Sequence, residues 1–78
     1  MQAYVLIKTQ IGDIYPALDI LRRIGDVVSA QSTFGPYDII ALVEAASIDE
    51  LSHLVARRIQ GISEILETTT CIVLSEPS

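Results

Sequence analysis

Residues that commonly carry out chemistry are scarce in this sequence, which has one cysteine, one histidine, no tryptophan and four glycines among 78 residues. A single cysteine forms no disulfide framework, and because Cys71 lies in an apolar stretch we expect a buried, reduced thiol. His53 has Asp49 and Arg57 at helical spacing, so we interpret it as a solvated helix side chain. The glycines are too widely spaced for a phosphate-binding loop. We therefore predict no catalytic residues, no metal site and no cofactor.

Positive charge and long apolar runs are also lacking. Five lysines and arginines stand against ten acidic residues, which gives a net charge of −5. Proteins that bind nucleic acid neutralise phosphates with a basic surface, so we expect no direct binding to nucleic acid. No apolar run approaches the ~20 residues of a membrane span, and no basic region of a signal peptide precedes the first strand pattern. These features predict a cytoplasmic protein without membrane contact.

Apolar residues, by contrast, are abundant and make up 50% of the chain. A domain of this size buries only ~60–65% of the surface that its unfolded chain exposes, so its own core cannot hold all of them. Large apolar patches on soluble proteins usually belong to interaction surfaces. We therefore expect part of the apolar surface to lie in an interface between subunits of a single-domain protein.

Hydrophobic patterning divides the chain into four strands and two helices, with a short tail at residues 76–78. Strand segments are rich in β-branched residues, and helical segments repeat apolar residues every three or four positions. Asp13 and Gly25 are predicted to cap the first helix, and Ser47 with Glu50 forms a capping box for the second. We predict strands at residues 3–9, 26–34, 39–45 and 65–74, and helices from 13 to 25 and from 47 to 61.

The order β-α-β-β-α-β predicts an α+β, ferredoxin-like fold with both helices on one face of a four-stranded antiparallel sheet. Alternation along the strands then directs Tyr4, Leu6, Ile40 and Leu42 to the other face. An apolar face of this extent is not expected on a soluble monomer, and two sheets can cover each other at ~10 Å separation. The sequence therefore predicts a homodimer with a shared core, a dimeric α+β barrel.

A tight turn before the third strand is the best candidate for a ligand site. It consists of Gly35, Pro36, Tyr37 and Asp38. A free amino acid needs N–H donors for its carboxylate and an anionic or carbonyl acceptor for its ammonium group. Backbone amides of this turn could supply the donors, except at proline, and Asp38 could supply the acceptor. We predict a small-molecule site here, in a cleft between subunits.

Three segments resemble the RAM domain, the ligand-binding domain of the leucine-responsive regulatory protein/AsnC family. They are MQAYVLI at residues 1–7, GPYDIIALV at 35–43 and ETTTCIVL at 67–74. The resemblance implies a ferredoxin-like dimer that assembles into octamers or similar rings and binds amino-acid effectors between dimers. It also implies an effector region that matches the turn at residues 35–38 and, in addition, Thr68, Thr69 and Thr70. The high propensity of threonine for β-sheets would by itself also explain these three residues.

Regulators of that family carry an amino-terminal helix-turn-helix domain that this sequence lacks, so it is similar to the stand-alone RAM proteins. We expect an amino-acid-sensing oligomer, not an enzyme, that modulates full-length regulators by mixing with them. Two alternatives remain open at this point. One is a cofactor-independent enzyme of the dimeric α+β barrel type, with a histidine or tyrosine in the cavity of the sheet. The other is a purely structural oligomerisation module.

Overall fold

The structure, a computed structural model, describes residues 1–74, so the predicted tail at 76–78 lies outside the described residues. The observed order of elements confirms the β-α-β-β-α-β prediction. The strands are β1 (Gln2–Thr9), β2 (Val27–Ser32), β3 (Ile39–Glu44) and β4 (Ile65–Ile72). Helix α1 spans Ile14–Arg22, and helix α2 spans Ile48–His53 and continues as a π-helix over Leu54–Ile59, here called the π segment.

The four strands form one antiparallel sheet in the order β2-β3-β1-β4. Strand β1 is central, and its residue Val5 stands opposite Ala41 of β3 and Thr70 of β4. The register shifts at the end of β1 and near the start of β2. This topology brings the carboxyl end of β1, the start of β3 and the start of β4 together at one end of the strands. We call this end of the sheet, where β1 finishes, the β1 end.

One hydrophobic core lies between the helices and one face of the sheet. Alternate strand residues and one side of each helix are buried in it, which confirms that both helices cover the same face. Removing these apolar side chains from water supplies the main driving force for folding. The hydrophobic core includes Ala3, Val5, Ile7, Ile39, Ala41 and Val43 from the strands, and Ala17, Leu18, Leu21, Leu51, Leu54, Val55 and Ile59 from the helices.

The helix ends differ in part from the predictions. Helix α1 ends before Gly25, because Arg23 takes the C-cap position in a right-handed conformation and donates to the Ile20 carbonyl at 3.1 Å. Tightened hydrogen bonds of this kind close a helix without a left-handed glycine. Asp13 occupies the N-cap position, but its side chain makes no capping hydrogen bond. The prediction of Gly25 as C-cap was therefore wrong, and Asp13 is a cap by position alone.

The second helix starts as predicted. The Glu50 backbone N–H donates to Ser47 Oγ at 3.2 Å, and the Glu50 carboxylate accepts from the Ala46 backbone N–H at 3.2 Å. In an ideal capping box the glutamate returns to the N-cap amide, so here it reaches one residue further back. The π segment ends the helix, with the Gln60 N–H donating to the Val55 carbonyl at 2.8 Å.

Candidate functional site

The face of the sheet away from the helices, which we call the helix-free face, carries apolar side chains. Tyr4 is exposed, and Leu6, Ile40 and Leu42 are half-buried. They are neighbours across the β1–β3 pair, with Leu6 opposite Ile40 and Tyr4 opposite Leu42. Side chains of alternating residues share one face of a strand, which explains their alignment. The predicted apolar patch on this face is therefore present.

Cys71 lies on the same face and is exposed. It stands opposite Tyr4 in the β1–β4 pair. The expectation of a buried thiol was wrong for the single chain, because Cys71 lies on the face of the sheet that the helices do not cover. His53 is exposed on α2, as its spacing indicated.

The connection between β2 and β3 is a loop of residues 33–38 rather than a tight turn. The Thr33 N–H donates to the Asp38 carbonyl at 2.9 Å, and Thr33 Oγ1 donates to the Tyr37 carbonyl at 2.7 Å. Gly35 and Pro36 lie exposed in the loop, and Gly35 has no positive φ. Pairing of Ser32 with Ile39 then fixes where the loop begins and ends.

Asp38 fastens this loop to the end of β1. Its Oδ2 accepts the Thr9 backbone N–H at 2.8 Å and the Thr9 hydroxyl at 3.3 Å. The Asp38 backbone N–H in turn donates to the Ile7 carbonyl at 2.8 Å. The amide of Asp38 is thus engaged within the sheet, which corrects the expectation that it could serve as a donor to a ligand.

Tyr37 turns toward β4 on the helix-free face. Its hydroxyl lies 3.4 Å from Thr69 Oγ1, and its ring centroid lies 5.7 Å from Lys8 Nζ. Lys8 Nζ lies 3.7 Å from Glu67 Oε1. The loop, β1 and β4 therefore bring four polar side chains together at the β1 end. We call this group, which consists of Lys8, Tyr37, Glu67 and Thr69, the polar cluster.

The three threonines of β4 are divided between the two faces of the sheet. Thr68 Oγ1 accepts from Gln60 Nε2 at 2.9 Å on the helix side, and Thr70 lines a groove beside Ile48 and Val55 of the second helix. Thr69 points the opposite way, because successive side chains of a strand alternate. Only Thr69 of the trio therefore joins Tyr37.

Lys8, Thr9 and Glu67 are contact residues of this region that sequence reasoning missed. Lys8 and Glu67 meet only because they are opposite each other in the β1–β4 register. Residues 1–74 contain no group of three or more His, Cys, Asp or Glu side chains that could hold a metal ion. Within that part of the chain, no helix has both the length and the apolar character needed to cross a membrane.

The sheet order, the two helices on one face and the polar cluster beside an apolar face define a small α+β domain of the ferredoxin-like class. Residues 2–78 match the sequence model of the Lrp/AsnC ligand binding domain. The chain belongs to this family, which confirms the resemblance found in its sequence.

The regulatory protein AsnC of Escherichia coli (strain K12) is 44% identical to the chain over 64 residues, which are 81% of this chain and 42% of AsnC. The chain thus spans less than half the length of the curated relatives it matches. The structure of Escherichia coli AsnC superimposes with a TM-score of 0.91 at 36% identity, covering 99% of this chain and 52% of that one.

Two further crystal structures share the fold. FFRP-DM1 has a TM-score of 0.90 and 27% identity, covering 94% of this chain and 97% of that chain. A transcriptional regulator from Neisseria meningitidis, solved as a complex with L-Met, has a TM-score of 0.87 and 18% identity, covering 99% of this chain and 51% of that chain. At this last level of identity the likeness concerns the fold alone.

Proposed function

We propose that this chain is an amino-acid-binding module that works as a homodimer and senses amino acids on behalf of transcription regulators. The single observation that carries the proposal is the polar cluster beside the apolar helix-free face, in a chain of the Lrp/AsnC ligand-binding family. A site that combines apolar surroundings with a few convergent polar groups is typical of small-molecule binding.

The homodimer is inferred from the helix-free face. Leu6, Ile40 and Leu42 are only half-buried there in a single chain, and Tyr4 is exposed. Packing of two such faces against each other removes these side chains from water, and sheets pack in this way at ~10 Å separation. The dimer then has the form of an α+β barrel whose two sheets share one core.

Further assembly, into an octamer or a similar ring, is proposed at the β1 end. Ile11, in the connection between β1 and α1, and Phe34, in the 33–38 loop, are both fully exposed. The β1–β3 register places both connections at this end. Exposed large apolar side chains that occur together favour contact with another subunit, so a cleft between dimers would form next to the 33–38 loop.

The proposed ligand is a free amino acid held at the 33–38 loop. This view is supported by the L-Met complex of the Neisseria meningitidis regulator, which has the same fold. Of the residues predicted from sequence, Gly35, Pro36, Tyr37 and Asp38 stay candidates together with Thr69. Thr68 and Thr70, which lie on the helix side, become the weaker candidates.

The proposed biological role is regulatory. AsnC is named a regulatory protein, and this supports a cytoplasmic role in which the chain modulates full-length regulators of the family by mixing with them. A net charge of −5 argues against direct contact with DNA. We propose no enzymatic activity, because AsnC is named a regulatory protein and the histidine of the chain lies exposed on α2. Tyr4 and Tyr37 on the helix-free face therefore have no imidazole of their own chain beside them to act as a base.

Isothermal titration calorimetry with glycine and each of the nineteen other standard amino acids in the L form tests this proposal, at a protein concentration that keeps the oligomer assembled. We expect saturable binding for a subset of them, with no more than one ligand per chain. The D-enantiomers serve as controls, because a site with fixed donors and acceptors discriminates between mirror images. No binding by any L-amino acid would contradict the proposal and favour the purely structural module.

A further inference from the structure

The helix-free face ends at its β1 end in charged side chains rather than apolar ones. Lys8 follows Tyr4 and Leu6 on the same side of β1, and Glu67 lies opposite Lys8 on β4. Their side chains are 45% and 60% exposed. Lys8 is also the one lysine of the whole sequence. A cation and an anion therefore stand side by side where the apolar face meets the 33–38 loop.

The surroundings of this ion pair favour recognition of a small ligand. Lys8 Nζ lies 5.7 Å from the centroid of the Tyr37 ring, and the Tyr37 hydroxyl lies 3.4 Å from Thr69 Oγ1. The polar cluster thus offers one cation, one anion, two hydroxyl groups and an aromatic ring within one small area. An α-amino acid carries one charge of each sign on neighbouring atoms, which is the complementary arrangement.

Asp38 is less suited to bind the ligand's ammonium group. Its Oδ2 already accepts two hydrogen bonds from Thr9, at 2.8 and 3.3 Å, and it holds the loop against β1. Among the residues that the structure describes, the Glu67 carboxylate contacts Lys8 Nζ at 3.7 Å and accepts no hydrogen bond from the backbone. An exposed ion pair contributes little to stability, so a ligand can replace it at small cost.

We propose that Lys8 and Glu67 are ligand-binding residues, with Lys8 taking the α-carboxylate and Glu67 the α-ammonium of a bound amino acid. This inference rests on the proposed function, since it concerns the same site. On binding, the pair exchanges its mutual contact for two charge-assisted hydrogen bonds to the zwitterion. Tyr37 and Thr69 line the site, and Asp38 acts as a positioning residue for Tyr37.

Calorimetry on Lys8→Gln and Glu67→Gln tests the assignment. Each L-amino acid that binds the wild type is titrated together with its α-amide, which lacks the carboxylate, and its N-acetyl derivative, which lacks the ammonium charge. We expect Lys8→Gln to weaken binding of the amino acid by about ten- to a hundredfold, the range of hydrogen bonds to charged groups. The same substitution should barely change the weak binding of the α-amide. Glu67→Gln should likewise weaken binding of the amino acid about ten- to a hundredfold and barely change the weak binding of the N-acetyl derivative.

Matched control variants distinguish the loss of a ligand contact from a general effect of changing the net charge of the protein. Glu44→Gln makes the same chemical change at the opposite end of the sheet, and Arg23→Gln removes a cation at the end of α1. Both should bind the amino acid as the wild type does. Lys8→Arg, which keeps the charge, should retain most of the affinity. Sedimentation and thermal unfolding establish that each variant keeps its assembly and fold.

Three results would overturn the assignment. If some amino acid binds the wild type and both Gln variants bind it equally well, the inference falls and the proposed function stands. If each variant weakens the amino acid, the amide and the N-acetyl derivative by the same factor, the pair has a structural role only. If no amino acid binds the wild type, the inference and the proposed function fall together.

Discussion

At the scale of single residues, Asp38 shows how one side chain organises the candidate site. Its carboxylate and its amide both bond to the end of β1, through Thr9 and Ile7. Tyr37 precedes it and depends on this anchor for its position next to Thr69. The sequence predicted that the Asp38 carboxylate is available to bind a ligand, whereas in the structure it already accepts hydrogen bonds from Thr9.

Asp38→Ala is expected to abolish amino-acid binding while the oligomer stays intact. The substitution leaves the partly buried Thr9 N–H without its partner, a loss that costs about 1–3 kcal/mol of unfolding free energy. Asp38→Asn keeps a carbonyl oxygen for that N–H, so we expect near-normal stability and most of the affinity. Calorimetry with urea unfolding measures both quantities. Equal loss of binding in the two variants would show that the charge of Asp38 itself contacts the ligand.

At the scale of elements, the π segment is the least regular part of the fold. The Gln60 N–H reaches back five residues to Val55, which widens the last turn of the helix. Gly61 follows directly, and a Cβ at this position would stand 2.6 Å from the Arg57 carbonyl oxygen. The chain can therefore leave the helix in this direction only because the residue has no side chain.

Gly61→Ala is expected to lower the unfolding free energy by about 1–3 kcal/mol, because the backbone oxygen of Arg57 cannot move aside as a flexible side chain would. For a domain of this size, each kcal/mol corresponds to roughly 4–8 °C in Tm. Gly25→Ala is the matched control, since a methyl group at Gly25 would meet no atom within 4 Å and this glycine has no positive φ. Thermal unfolding of both variants at equal concentration is the measurement. Equal Tm values would contradict the close approach at Gly61.

The order and type of the elements could be predicted from the sequence because each has its own local signal. Runs of β-branched and other apolar residues indicate β1 and β3, and the Ser47–Glu50 capping box starts α2. What depends on contacts between distant segments could not be predicted. The pairing of Lys8 with Glu67, for example, requires the β1–β4 register. The π segment was missed for a different reason, because over six residues a π-helix and an α-helix space their apolar residues too similarly to be distinguished.

The candidate site was predictable in part for the same reason. The loop with Tyr37 and Asp38 carries its own turn residues, so its place next to β3 followed from local sequence. Strand alternation alone divides Thr68 and Thr69 between the two faces, but which of them lies on the helix-free face depends on the β1–β4 register. The prediction of a buried Cys71 failed because a continuous apolar run does not show which face of the sheet a residue occupies, and Cys71 lies on the face without helices.

At the scale of the whole molecule, the helix-free face is the surface through which we expect two chains to associate. Leu42 is half-buried on this face and lies outside the core beneath the helices. Leu42→Lys should therefore leave the fold intact and prevent dimerisation, because two charges would be placed between apposed apolar sheets. Ile48→Lys is the control, since Ile48 is exposed on α2 on the other side of the sheet. We expect that variant to assemble as the wild type does.

Sedimentation equilibrium of the wild-type chain at micromolar concentration measures whether two helix-free faces pair in solution. We expect a species of at least twice the 8.5 kDa chain mass, which Leu42→Lys should convert to a folded single chain and Ile48→Lys should leave unchanged. A stable, soluble wild-type species of one chain mass at that concentration would contradict the shared apolar face, and with it the ligand site proposed beside it.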